Sequence, residues 1–165
     1  MKNFIQQYIC AIEEKTVPES CAFLPGLEPP KDETGVVKNK LAMPVVKWVG
    51  GKRQLLSDLT PLLPEHFTLY CEPFLGGGAL LFWIQPRRAI VNDVNATLIE
   101  MYEAIRDNVE SLISELKKHK NDSAYFYKIR NWDRDKTLYN SLSKTEKAAR
   151  LLYLNKTCYN GLFRV

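Results

Sequence analysis

A glycine-rich segment between an apolar stretch and a helical pattern is the strongest chemical signal in this sequence of 165 residues. The segment reads EPFLGGGA over residues 72–79, so that Gly76, Gly77 and Gly78 stand immediately before a helix start. Glycine lets a ligand lie against bare backbone, and a helix N-terminus offers free N–H groups. The segment predicts a site for a nucleotide-like ligand, whereas a glycine turn without a ligand explains it about equally well.

An acidic residue follows the glycines at the spacing of a nucleotide site. Asp93 lies 17 residues after Gly76, within the segment NDVN that closes the next predicted strand. In doubly wound folds a carboxylate about 20 residues beyond the glycine loop accepts hydrogen bonds from ribose hydroxyls. Asp93 also fits a strand end or helix cap, with Asn95 capping the helix that follows. Together the two signals favour cofactor binding.

A third segment combines lysines, a tryptophan and a glycine turn. Residues 47–52 read KWVGGK, and Lys52 is followed by Arg53 rather than by Ser or Thr, which argues against a phosphate-binding loop of the nucleoside triphosphatases. The turn either presents Trp48 and the lysines to a ligand or forms a basic surface turn. Taken alone, such a segment is more often a basic surface turn.

The last third of the chain is basic and aromatic. Between Lys117 and Lys156, 11 Lys and Arg residues face 4 Asp and Glu residues, interleaved with 6 aromatic residues. This pattern fits a polynucleotide surface, although a solvated helical region with aromatics in its core explains it better when taken alone. In the final segment, Asn160-Gly161 favours a tight turn, and Arg164 suits contact with a guanine edge.

The elements that must position these segments follow from the hydrophobic pattern. Apolar runs predict strands over 69–74 and 89–92, joined by a short helix over 79–84. Strands that alternate with helices from residue 43 on indicate an α/β fold with a mostly parallel sheet.

Longer helices are predicted after the second strand. One helical face continues without a break from Leu98 to Leu116. A last helix begins at a capping box formed by Ser143 and Glu146 and runs to Asn155. Residues 1–42 are an N-terminal extension: a short amphipathic helix is predicted over 3–15, and a proline-rich linker follows it.

Composition excludes several classes of protein. The net charge is only +4, no apolar stretch approaches the length of a membrane helix, and the N-terminus lacks the pattern of a secretory signal. The four cysteines form no CxxC pair and only two histidines accompany them, so we expect no metal site. We expect a cytoplasmic protein with reduced, mostly packed thiols and no membrane contact.

The four segments in this order resemble the N-terminal half of the Dam-like, D12-class adenine-specific DNA methyltransferases. The resemblance covers residues 43–165 and rests on the KWVGGK turn, the EPFxGxG loop, NDVN and the LNxxxYNGLxR run. It implies an α/β, Rossmann-like methyltransferase fold that uses S-adenosyl-L-methionine. Within it, residues 43–116 form the cofactor-binding part, and residues 117–165 begin a helical DNA-recognition region.

The resemblance also implies roles for particular residues. The cofactor contacts it implies are Trp48, Lys52, Phe74, Gly76, Gly78 and Asp93, with Asp93 on the ribose and the glycine loop at the methionine end. The contacts it implies with double-stranded DNA are Lys47, Lys156, Tyr159, Asn160, Leu162 and Arg164. Methyl transfer would go to N6 of a flipped adenine, and the common target of the family is GATC.

One motif of the family does not occur in this sequence. The catalytic Asp-Pro-Pro-Tyr is missing, and the Pro-Pro pair at residues 29–30 has the wrong flanks and precedes the glycine loop. We therefore expect an incomplete fold without C-terminal strands, inactive alone, either truncated or half of a split enzyme with a complementing C-terminal half. The alternatives are a non-catalytic DNA-binding or partner-binding fragment and, more remotely, a nicotinamide-dependent oxidoreductase.

Overall fold

The computed structural model describes residues 42–161 and residue 163, which form a small parallel sheet and a set of packed helices. The α-helices are α1 (Leu56–Leu59), α2 (Ala79–Ile84), α3 (Ala96–Asp107), α4 (Val109–Leu116), α5 (Ser123–Arg130), α6 (Lys136–Ser141) and α7 (Lys144–Thr157). Short 3₁₀ helices cover Lys52–Leu55, Thr60–Leu62, Asn131–Arg134 and Tyr159–Gly161. The helix predicted over 3–15, the linker, Leu162 and Arg164 lie outside the described residues.

The two strands form the parallel pair that the sequence predicts. Strand β1 (Tyr70–Glu72) pairs with β2 (Ala89–Val91), with Tyr70 opposite Ala89. Helix α2 connects them and has the predicted bounds, whereas both strands are shorter than predicted. This β-α-β unit is compatible with a methyltransferase fold of the α/β class.

The core lies around α7. Helices α3 and α4 both pack against it, and eight consecutive residues of α7, from Ala148 to Asn155, are buried. Fully buried leucines from all three helices meet there, among them Leu98, Leu112 and Leu154. Burial of each such side chain contributes about 1.5–3 kcal/mol, and these three helices carry most of the buried apolar side chains among the described residues. The capping box of Ser143 and Glu146 at the start of α7 is confirmed.

The single helix predicted from Leu98 to Leu116 is wrong. The structure has two helices, α3 and α4, separated at Asn108, whose φ of −148° and ψ of 51° are not helical. Asn is unfavourable in a helix interior because its side chain competes for the backbone hydrogen bonds of the helix. The apolar spacing continues across the break, since Ile105 and Val109 are both buried, and the hydrophobic pattern therefore did not reveal it.

His119 belongs to an aromatic cluster rather than to a reactive site. Its ring stacks on Tyr153 at 4.5 Å, and its Nδ1 lies 3.0 Å from the Tyr125 hydroxyl. Burial lowers the pKa of His119 below 6.5; the Glu115 carboxylate opposes this shift, and the Lys118 ammonium adds to it. The imidazole is therefore neutral in the folded protein near pH 7.

The free energy of unfolding should fall as the pH drops through about 6.5, because the unfolded chain then takes up a proton that folded His119 resists. In the variant His119→Gln this part of the pH dependence should disappear. His66→Gln is the matched control, since His66 is exposed. Urea unfolding at pH 5.0 and 7.5 measures the effect. Equal pH dependence in His119→Gln and in the unmodified protein would contradict it.

Two further findings concern the part of the chain that the structure describes. No helix there is long and apolar enough to cross a membrane. No group of three or more His, Cys, Asp or Glu side chains converges in residues 42–161 as a metal site would require. Cys158 is partly buried, but Cys71 is exposed on β1, where we expected mostly packed thiols. The face of β1 that carries Cys71 is uncovered, because the described sheet has only two strands.

Candidate functional site

The glycine loop leaves the carboxyl end of β1 and stays bonded to β2. The Leu75 N–H donates to the Asn92 carbonyl at 2.8 Å, and the Asn92 N–H donates to the Glu72 carbonyl at 2.9 Å. These bonds carry the strand pairing beyond the ends of the two strands. The chain then turns at Gly76 and enters α2 after Gly78.

Asp93 is bound directly to the glycine loop. Its Oδ2 accepts a hydrogen bond from the Gly76 N–H at 2.8 Å, and its Oδ1 accepts one from the Asn95 N–H at 2.9 Å. The Asn95 side chain in turn caps α3 by accepting from the Leu98 N–H at 3.1 Å, as predicted. The structure thus brings together Gly76 and Asp93, the two residues whose spacing in the sequence favours cofactor binding.

Lys52 lies at the start of the same loop. Its Nζ donates to Glu72 Oε1 at 2.9 Å and to the Phe74 carbonyl oxygen. The second carboxylate oxygen of Glu72 accepts from the Tyr70 hydroxyl at 2.8 Å. Burial raises the pKa of Tyr70 far above its usual value, and the hydrogen bond to Glu72 and the charge of Glu72 add to this effect, so the hydroxyl remains a donor.

Trp48 forms the floor of the loop. The predicted turn is present, with the Gly51 N–H bonded to the Trp48 carbonyl at 3.0 Å. A Cβ on Gly76 would lie 3.4 Å from Trp48 Cδ1, and a Cβ on Gly77 would lie 3.0 Å from the Val46 carbonyl oxygen. Side chains at these glycines would separate the loop from the turn. Trp48, Lys52 and the glycine loop therefore form one site.

The predicted turn at the C-terminal segment is also present. The Gly161 N–H donates to the Cys158 carbonyl at 3.1 Å, and Asn160 has a φ of 55°. Tyr159 stands at this turn and is 88% exposed. Lys156 is exposed in the last turn of α7. The turn lies beside Lys47, because the Asn155 side chain donates to the carbonyls of both Lys47 and Gly161.

Most aromatic rings of the basic segment, and one of its basic residues, belong to the core. Arg150, one of its 11 basic residues, is 2% exposed, and Tyr153 is buried. Tyr125, Phe126 and Trp132 are partly buried and pack against the core. The interpretation of these rings as core is therefore correct for most of them, because they pack against the core cluster.

Three residues of the site were missed in the sequence analysis. Glu72 holds Lys52, and Asn155 holds Lys47, yet both were quoted only as letters of a motif or as the end of a helix. A polar residue on an apolar helix face is the signal that could have revealed Asn155. Val94, beside Asp93, is apolar and 93% exposed. Such exposure of a large apolar side chain is a signal that only the structure provides.

Comparison with known proteins gives a family. The model of the D12 class N6 adenine-specific DNA methyltransferase family matches residues 48–165. Type II methyltransferase M1.LlaDCHI of Lactococcus lactis subsp. cremoris is 44% identical over 131 residues, which are 78% of this chain and 46% of that protein. Type II methyltransferase M.MjaIII of Methanocaldococcus jannaschii is 34% identical over 141 residues, 74% of this chain and 48% of that protein.

A relative with a different name matches a similar share of the chain. DNA adenine methylase of Escherichia coli K12 is 30% identical over 123 residues, which are 72% of this chain and 42% of that protein. The chain thus spans about half the length of the curated relatives it matches.

Proposed function

The chain belongs to the D12 class of N6 adenine-specific DNA methyltransferases, and from this membership we propose that it forms the cofactor site and part of the DNA-contact surface of such an enzyme. We assign residues 43–116 to the cofactor-binding part of a Rossmann-like domain and residues 117–165 to a helical DNA-recognition region. S-adenosylmethionine supplies an activated methyl group when it is bound. The acceptor is N6 of an adenine flipped out of duplex DNA.

The position of Asp93 carries the proposal. Each of its carboxylate oxygens accepts one backbone N–H, from Gly76 and from Asn95. A carboxylate offers about four lone-pair sites, so both oxygens keep the capacity to accept a ribose hydroxyl. Because the backbone fixes the carboxylate in place, this acceptor pair fits a ribose without rearrangement.

Apolar side chains at the same ends of the two strands support this assignment. Phe74 follows β1 and is 71% exposed, and Val94 follows β2 and is 93% exposed. Exposed apolar side chains on both sides of a polar anchor are typical of ligand sites. We assign Phe74, Gly76 and Gly78 to the methionine end of the cofactor, with Trp48 beneath the loop and Lys52 at its start.

The DNA contacts are assigned to Lys47, to Lys156 and to the turn at residues 159–161, which lies beside Lys47. Tyr159 is exposed at the tip of its turn, where an aromatic ring is free to wedge beside a base pair. Lys47 and Lys156 provide positive charge for phosphates or bases. Asn160, Leu162 and Arg164 complete the set on the basis of the family motif. We propose a GATC-like target on the same basis.

The remaining strands and the acceptor motif are assigned to a segment outside these 165 residues, of the same polypeptide or of a separate one. The 165 residues contain no Asp-Pro-Pro-Tyr, and the relatives are about twice as long as the matched part. Cys71 and Ile90, opposite each other on β1 and β2, leave an apolar sheet face exposed. Further parallel strands with a covering helix would bury that face.

Asp93→Ala should weaken the binding of S-adenosylmethionine to the full chain by at least about tenfold, because a charged acceptor of two hydrogen bonds is lost. Calorimetric titration measures the affinity. Asp58→Ala is the matched control, since Asp58 is exposed on α1 and loses the same charge. A folded chain that binds no S-adenosylmethionine, or binds it equally well without the Asp93 carboxylate, would overturn the assignment.

A transfer assay tests the rest of the proposal. The full chain alone should transfer no labelled methyl group to unmethylated duplex DNA. Addition of a D12-class segment that carries Asp-Pro-Pro-Tyr and lacks the equivalent of residues 48–165 should restore transfer. The assay compares a GATC duplex with a GTAC duplex, which differs only in the order of the central bases and therefore tests the target sequence. Transfer by the chain alone contradicts the divided site, and equal transfer to both duplexes contradicts the target.

A further inference from the structure

Asn155 is a polar residue on a helix face that is otherwise apolar. It is 1% exposed, and its neighbours Leu151 and Leu154 are buried in the core. Its Oδ1 accepts from the Lys47 N–H at 3.2 Å, and its Nδ2 donates to the Lys47 carbonyl at 2.7 Å and to the Gly161 carbonyl at 3.1 Å. All three partners are main-chain groups. One side-chain amide therefore holds two separate segments of backbone against α7.

The two segments held by Asn155 also touch each other. A Cβ on Gly161 would lie only 2.9 Å from Lys47 Cδ, so the stem of the Lys47 side chain passes directly over the turn that carries Tyr159. Lys47 is followed by Trp48, which lies under the glycine loop of the cofactor site. Contacts thus run without interruption from Gly76 through Trp48 and Lys47 to the turn at residues 159–161.

We propose that Asn155 is a positioning residue that holds Lys47 and the Tyr159 turn together as one DNA-contact unit. The inference rests on the proposed function, since it takes Lys47 and Tyr159 as DNA contacts. Asn155 itself is buried and does not touch DNA. It fixes the position of Lys47 relative to the turn that carries Tyr159. Through Trp48 it also fixes both relative to the glycine loop.

The chemistry of the contacts requires an amide. Asn155 donates to two carbonyl oxygens and accepts from one N–H, which neither a hydroxyl nor a carboxylate can do from this position. A carboxylate would still accept from the Lys47 N–H but would face the carbonyl oxygens of Lys47 and Gly161 without a hydrogen to donate. The substitution Asn155→Asp therefore removes the two bonds that join the segments while nearly preserving the volume of the side chain.

Asn155→Asp should reduce the affinity of the full chain for duplex DNA by about tenfold or more, while the affinity for S-adenosylmethionine changes by less than about threefold. Fluorescence anisotropy with a labelled GATC duplex and calorimetric titration give the two affinities. Asn121→Asp is the matched control, because it adds the same negative charge at an exposed position between α4 and α5.

A double-mutant cycle separates positioning from general stabilisation. If Asn155 holds Lys47 and the Tyr159 turn together, Lys47→Ala and Tyr159→Ala should not act independently on DNA affinity. The effect of the double variant should differ from the product of the two single effects by roughly twofold or more. The coupling should vanish in the Asn155→Asp background. A role in stability alone would leave the coupling unchanged in any chain that still melts cooperatively.

Gly161→Ala provides a second route to the same result if Asn155→Asp does not fold. The added methyl group would lie 2.9 Å from Lys47 Cδ and 3.4 Å from the Asn155 main-chain carbonyl oxygen, and the φ of 69° at Gly161 adds backbone strain. Both effects displace Lys47 and the turn relative to each other while Asn155 itself stays unchanged. DNA affinity should again fall by about tenfold with cofactor binding retained. DNA affinity that is unaffected by both variants would overturn the inference. Failure of the unmodified chain to bind DNA would instead overturn the proposed function on which it rests.

Discussion

Replacement of Arg150 by methionine should lower the free energy of unfolding by about 3 kcal/mol. The guanidinium is buried at 2% exposure. Its Nε donates to the Ile129 carbonyl at 2.9 Å, and its Nη2 donates to the Arg130 carbonyl at 2.8 Å. Methionine fills a similar volume but donates nothing. Two carbonyl oxygens at the end of α5 would then lose the guanidinium as a donor, and Ile129 is itself only 1% exposed.

The ion pair of Arg150 contributes less than these bonds. Its Nη2 lies 3.0 Å from Asp133 Oδ2, but the Asp133 side chain is partly exposed and water screens the attraction. The guanidinium also lies 5.4 Å from the centre of the Tyr139 ring, a distance at which a cation and an aromatic face attract each other. Arg150 therefore joins α5 and α6 to the central helix α7.

Chemical denaturation of Arg150→Met, Arg150→Lys and Arg134→Met tests this prediction. Lysine should recover only part of the loss, because a single ammonium lacks the planar fork that reaches both carbonyls. Arg134 is exposed in the 3₁₀ helix Asn131–Arg134, so its substitution should change the free energy of unfolding by less than about 0.5 kcal/mol. Equal stability of the Arg150 and Arg134 variants would show that the buried guanidinium is replaceable.

Gly78→Ala should destabilise the protein by about 2–4 kcal/mol. Gly78 has a φ of 71°, a left-handed conformation that disfavours a side chain. Its added methyl group would lie 2.8 Å from Phe82 Cε2 and 3.1 Å from Phe82 Cδ2. Phe82 is buried in the core and has little space into which to move. The glycine loop would have to shift, and S-adenosylmethionine binding should weaken with it.

Gly50→Ala is the control that separates backbone strain from the clash. Gly50 has a φ of 74°, nearly that of Gly78, but nothing lies within 4 Å of the position of its Cβ. Its substitution should therefore cost only the conformational part, about 1–2 kcal/mol. Thermal or urea unfolding of both variants gives the difference directly. If Gly50→Ala and Gly78→Ala lowered the free energy of unfolding equally, the predicted clash with Phe82 would be contradicted.

The sequence by itself determined the features that depend on near neighbours along the chain. The two strands, the helix between them and the capping box at Ser143 each follow from residues within a few positions of one another. The pairing of Gly76 with Asp93 follows from a spacing that a β-α-β unit imposes. Membership of the family also followed from ordered local motifs, and the family comparison confirms it.

Only the tertiary structure decided which polar side chains are buried and what they hold. Arg150 is indistinguishable in sequence from the exposed basic residues around it, and Asn155 is one letter of a motif. Apart from Gly161, the backbone groups that they bond are 20 to 108 residues away in the sequence, and only the tertiary packing brings them near. Burial of a polar group is tolerated only where such partners meet it, and their positions depend on the whole fold rather than on local pattern.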